Sequence, residues 1–65
     1  MNSIVLTERD ANQRFAIDPM TIIKVIEFEE GSRVVTYVAD EVESTDVFED
    51  MSEVLLAIRK NVFGE

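Results

Sequence analysis

The chain has 65 residues, 14 of them acidic and 6 basic, a formal net charge of −8, and no Cys, His or Trp. That length holds a single domain, residues 1–65, because chains below roughly 70 residues build only small cores. Disulfide staples, thiolate or imidazole zinc sites, a cysteine nucleophile, a Ser-His-Asp triad and a histidine general base are all excluded. The charge argues against a broad basic face for direct nucleic-acid binding. Apolar residues make up 46% of the chain, so it is expected to fold rather than stay disordered. No apolar run approaches the ~20 residues of a membrane span, and the first residues lack a basic, then apolar, leader pattern. The expectation is therefore a cytoplasmic protein with no membrane insertion.

Ser3–Thr7 reads as a first strand, rich in β-branched residues. Arg9–Gln13 is polar and suits a turn, and Arg14–Ile17 reads as a short second strand. Asp18-Pro19 then punctuates the chain. Thr21–Glu29 carries the strongest strand signal, since five of its nine residues are Ile, Val or Phe. A helix is the alternative there, but β-branched density and the following glycine favour a strand. Glu30-Gly31-Ser32 is expected to turn the chain into a partner strand, Arg33–Ala39.

Asp40–Thr45 reads as a charged loop or the widened end of a hairpin, and Asp46–Glu49 as a short last strand. Asp50 and Glu53 have the spacing of a capping box. Met51, Val54, Leu55, Ile58 and Val62 follow at spacings of 3, 1, 3 and 4, one stripe of a helix that Gly64 would stop. The fold class is thus α+β: a small, mostly antiparallel sheet of four to five short strands with one C-terminal helix packed on one face.

Strict alternation would place Ile22, Ile26 and Phe28 on one side of the third strand with Lys24, and Ile23 and Val25 on the other. One short helix covers only one side of such a sheet. Ile23, Val25, Val35 and Tyr37 are therefore candidates for self-association, and a homo-oligomer is expected. A sheet that curls into a partial barrel is the alternative.

Ten of the 14 acids lie between residues 27 and 53, against Arg33 alone. A solvated surface explains most such runs. A docking surface for a basic protein partner is the sharper reading, with Glu41, Glu43, Asp46 and Glu49 as its residues. A divalent-cation site is the third, but the spacing lacks a calcium-loop core. Five aromatics do not suggest a sugar cleft between paired carboxylates. Neither enzyme activity nor a cofactor is expected, and no catalytic or metal-binding residues are assigned.

Three segments carry a family resemblance: Ile4-Val5-Leu6-Thr7, Phe15-Ala16-Ile17-Asp18 and Ile22-Ile23-Lys24-Val25-Ile26-Glu27. With Val34–Val38, Val47–Asp50 and Glu53-Val54-Leu55, their order resembles the FlbD/SwrD-like family of small flagellar proteins. The chain departs from that pattern at Asp10-Ala11-Asn12 and over Asp40–Thr45. The resemblance implies an accessory or adaptor protein on a larger assembly and no catalysis. The alternative from charge and size is an inhibitor, of the kind phages and mobile elements encode, that blocks a basic nucleic-acid- or nucleotide-binding partner.

Overall fold

The structure, a computed structural model, describes residues 3–64. Five strands, β1 (Ile4–Glu8), β2 (Gln13–Ile17), β3 (Ile22–Phe28), β4 (Gly31–Val38) and β5 (Glu41–Val47), precede one helix, α1 (Met51–Phe63). All strand pairs are antiparallel, in the order β2-β1-β5-β4-β3. The α+β arrangement read from the sequence is the one observed. The sheet stays open, with β2 and β3 as its edges.

Strands β3, β4 and β5 form a meander with two tight connections. Phe28 faces Gly31 across the first, so Glu29-Glu30 makes the turn, one residue earlier than the glycine suggests. Gly31 belongs to β4, at φ 119°, and a Cβ there would run into the backbone carbonyl of Val47 on β5. Only glycine combines that angle with that approach. Val38 faces Glu41 across the second connection. Its two turn residues, Ala39 and Asp40, both have positive φ (52° and 65°), as a two-residue turn matched to strand twist requires.

The acidic stretch expected as a loop is therefore a strand. Residues 41–47 pair with β4 at every position, so the strand expected over Asp46–Glu49 starts five residues earlier and stops at Val47. The reason is that ladder bonds come from the backbone. A strand paired with β4 along its whole length needs few apolar side chains, and only Val47 of β5 is buried.

A second departure concerns β3. Ile22 faces Thr36 and Lys24 faces Val35, so Ile23 is an extra residue, a β-bulge. The alternation slips by one there. Val25 then pairs with Val34 and packs against the core, so the expected grouping of Ile23 with Val25 on an uncovered face does not form.

The core consists of Ile4, Leu6, Val34, Val47 and Val54, with Phe15, Ile17, Ile22, Val25, Ala57 and Ile58 packed around it. Asp50 caps α1 as its sequence spacing predicts. The Glu53 N–H donates to Asp50 Oδ1 at 2.8 Å, and the Asp50 N–H donates to Glu53 Oε1 at 3.1 Å. Gly64, at φ 71°, ends it. The buried line of the helix runs through Val54, Ala57 and Ile58. Leu55 and Val62, expected in that stripe, are 48% and 43% exposed.

Gly31→Ala should lower unfolding stability by at least about 2 kcal/mol, combining backbone strain with the carbonyl clash. Urea denaturation followed by circular dichroism measures it, and an unchanged midpoint would contradict the close approach.

Candidate functional site

Cross-strand partners point to the same side of a sheet. Val34, Val47 and Leu6 therefore define the side under α1. The opposite, uncovered side carries Lys24, Ile26 and Phe28 from β3, Arg33, Val35 and Tyr37 from β4, and Val42, Ser44 and Asp46 from β5. Val5, Arg14 and Ala16 extend it across the β1–β2 hairpin. Ile26 and Val35 are half-buried, whereas Tyr37 is 49% and Val42 63% exposed.

On this face, Arg33 donates from Nε to Asp46 Oδ1 at 2.7 Å and from a terminal nitrogen to Oδ2 at 3.3 Å. The guanidinium also lies 5.0 Å from the Phe28 ring centroid, within cation–π range. Hydrogen bonding from Arg33, then its positive charge, holds the Asp46 carboxyl below its ordinary value of 3.8, against an opposing effect of burial. Hydrogen bonding to Asp46, then its negative charge, raises Arg33. Beside this pair, Arg9 donates to Glu30 at 3.1 Å and sits 6.0 Å from the Phe48 ring centroid.

The charges are divided between the two sides. Four of the six bases in the chain, Arg9, Arg14, Lys24 and Arg33, belong to the uncovered side. Asp46 is its one acid within a strand, with Glu30 and Asp40 at the two hairpin tips. Glu8, Glu27, Glu41 and Glu43 share the side of α1, where Asp50 and Glu53 also lie. The uncovered side is close to neutral although the chain carries −8.

The structure disperses both groups of candidate residues. Val35 and Tyr37 share the uncovered face, whereas Ile23 stands at the sheet edge and Val25 turns into the core. Glu41 and Glu43 are exposed on the α1 side, and Asp46 is tied to Arg33 on the other. Glu49 sits at the β1–β5 seam, where its carboxylate accepts from the Thr7 N–H at 2.8 Å and the Thr7 hydroxyl at 3.0 Å. These four acids do not form one patch.

Among the described residues, no group of three acidic side chains is placed to hold a metal ion. No helix of the described residues is long and apolar enough to cross a membrane. Sequence reasoning passed over the convergence of Arg9, Arg14, Lys24 and Arg33. Its only signal was their position opposite the apolar residues of each strand. No family model, curated protein or solved structure matches this chain.

Two measurements check this geometry. Glu49→Ala should cost about 1–3 kcal/mol in urea unfolding, since it strips a charged acceptor from a half-buried N–H and hydroxyl. The Arg33–Asp46 pair should give a pH signature. Because Asp46 is lowered in the folded state, its contribution is present above pH 3.8 and disappears as pH falls through the folded value. The raised Arg33 acts only in strongly alkaline solution, outside that window. Wild-type and Asp46→Asn urea midpoints should differ near neutral pH and converge below pH 3.8, and a constant difference would contradict the pair.

Proposed function

We propose that this protein is a non-enzymatic interaction module that self-associates through the uncovered face of its sheet and acts as an accessory or adaptor on a larger assembly. The observation that carries this reading is the near-neutrality of an apolar face in a strongly acidic chain. Two copies of a −8 protein repel each other over most of their surfaces. The face bearing Ile26, Val35, Tyr37 and Val42 is the side on which like copies meet with little net charge. With extents of 28 × 28 × 19 Å, the molecule has a broad side of about the size a stable interface needs, roughly 800 Å² per partner. An isologous contact between two such faces gives a sheet-on-sheet sandwich.

The acids Glu41 and Glu43, on the side away from this contact, stay available to the larger assembly. The resemblance to FlbD/SwrD-like proteins supports a flagellar assembly in that role. Acting as an inhibitor of a basic partner is the weaker reading, because Asp46 and Glu49 are engaged within the fold.

Sedimentation equilibrium tests the proposal. The wild type should show a mass that is a multiple of 7.4 kDa. Val35→Asp, at the middle of the face, should weaken association by tenfold or more, about the effect of losing a central interface anchor. Added salt should strengthen self-association, since it screens the repulsion between acidic copies. A single-chain mass at every concentration would overturn the reading.

A further inference from the structure

The outer edge of β5 is only partly covered. Strands β1 and β5 share the single register pair Glu8 with Val47, after which the chain leaves β5 for the β1–β2 turn. Along a strand, successive residues aim their backbone N–H and C=O groups at opposite neighbours. The Asp46 carbonyl accepts from the Arg9 N–H, and the Phe48 N–H donates to the Thr7 carbonyl, so the even-numbered residues face outward. The Glu43 carbonyl faces β4, where it accepts from the Thr36 hydroxyl at 3.4 Å. The backbone groups of Val42 and Ser44 therefore point away from β4, and among the described residues no strand lies opposite them. Glu41, Val42, Glu43 and Ser44 are all exposed.

The pleat sorts the side chains beside this open edge. Glu41 and Glu43 stand on the α1 side, and Val42 and Ser44 on the uncovered side. Among the described residues, neither acid has an ion-pair partner within 4.0 Å. The two outermost strands offer a different chemistry. Strand β3 carries Lys24 beside its bulge, and Arg14 is the one charged residue of β2. A second copy is a poor occupant of the β5 edge. Antiparallel pairing of two such edges sets the acids of one copy beside those of the other, and like charges across strands are destabilising.

We infer that β5 accepts an added strand from another protein, an extended segment with Lys or Arg at alternate positions and apolar residues between them. Its backbone bonds to the outward groups of Val42 and Ser44. Its bases lie along Glu41 and Glu43, and its apolar side chains continue the face that carries Val42. In strand addition, main-chain bonds supply affinity and alternate side chains supply selectivity. The exposed acids favour a basic segment over an acidic one. Arg9, bonded to the Asp46 carbonyl, marks where the open stretch ends, so the added strand is short. The inference rests on the accessory reading of Glu41 and Glu43, and it names the chemistry of the partner they meet.

A labelled peptide of about six residues, the length of an ordinary strand, with Lys and Val alternating, tests it on the whole protein. Fluorescence anisotropy should show binding to the wild type, weakened about tenfold or more by Glu41→Lys with Glu43→Lys. Both side chains are exposed, so an unchanged circular dichroism spectrum should accompany the loss. Charge alone attracts basic peptides to an acidic protein, so the backbone needs its own readout. Amide hydrogen exchange followed by NMR should slow about tenfold or more at Val42 and Ser44 when the peptide binds. Val35→Asp, which weakens self-association, should bind the peptide as the wild type does, and this separates a failure here from a failure of self-association. No binding, equal binding to the double variant, or binding without slowed exchange at Val42 and Ser44 would overturn the inference. Binding lost in a folded Val35→Asp would also overturn it, by assigning the peptide to the uncovered face.

Discussion

The fold depends on the junction at Glu49. Strands β1 and β5 share a single register pair, Glu8 with Val47, flanked by two backbone bonds of 2.9 Å, from Phe48 N–H to the Thr7 carbonyl and from Arg9 N–H to the Asp46 carbonyl. Ladder bonding this brief does not by itself fasten the β1–β2 hairpin to the meander. Glu49 completes the seam from both ends of its residue. Its carboxylate takes the Thr7 N–H and hydroxyl, and its carbonyl takes the buried Ser32 hydroxyl. One residue thereby joins β1 to β4 and sets Asp50 where the helix cap must begin. Gly31 serves the same junction, because the chain of β5 passes too close for any side chain there.

Once that seam is closed, the distribution of charge follows from topology. Side chains of β5 alternate between the two sides, so a run that looks uniformly acidic in sequence is split by the pleat. Glu41 and Glu43 go to the helix side, and Asp46 goes to the other, where Arg33 meets it. Facing strands then supply bases to the uncovered side: Lys24 and Arg33 from the meander and Arg14 from β2. A chain with a strong net charge thus acquires one face on which the charges nearly cancel. Repulsion between copies is weakest there, and the apolar side chains lie on that same face. In the proposed interface, Arg33 and Asp46 would already satisfy each other, which lowers the cost of covering them.

Elements with local signals were legible in the sequence. The capping box at Asp50 and Glu53, the stop at Gly64 and the β1–β2 hairpin depend on residues close together in the chain, and the structure has them nearly where the sequence puts them. Strand β5 was not legible, because its stability comes from backbone pairing with β4 along its whole length and its side chains carry little apolar signal. The turn at Ala39-Asp40 was hidden too, since Ala gives no warning of positive φ. Half of the proposed contact face, Val35 and Tyr37, was read from alternation alone. The other half failed at Val25, because alternation assumes an unbroken register and nothing in Ile22-Ile23-Lys24 announces a bulge.

The bulge in β3 links core packing to the protection of the sheet edge. Without the extra residue, β3 would continue its alternation, and either Ile22 or Val25 would leave the core side. With it, both pack beneath α1, and the surplus apolar residue, Ile23, is pushed to the edge at 60% exposure. A free edge strand with an exposed isoleucine invites pairing with other chains, but the same irregularity spoils the row of backbone groups that pairing needs. Lys24 adds a charge at the same place. The same one-residue slip therefore keeps Ile22 and Val25 in the core and blunts the edge that it exposes.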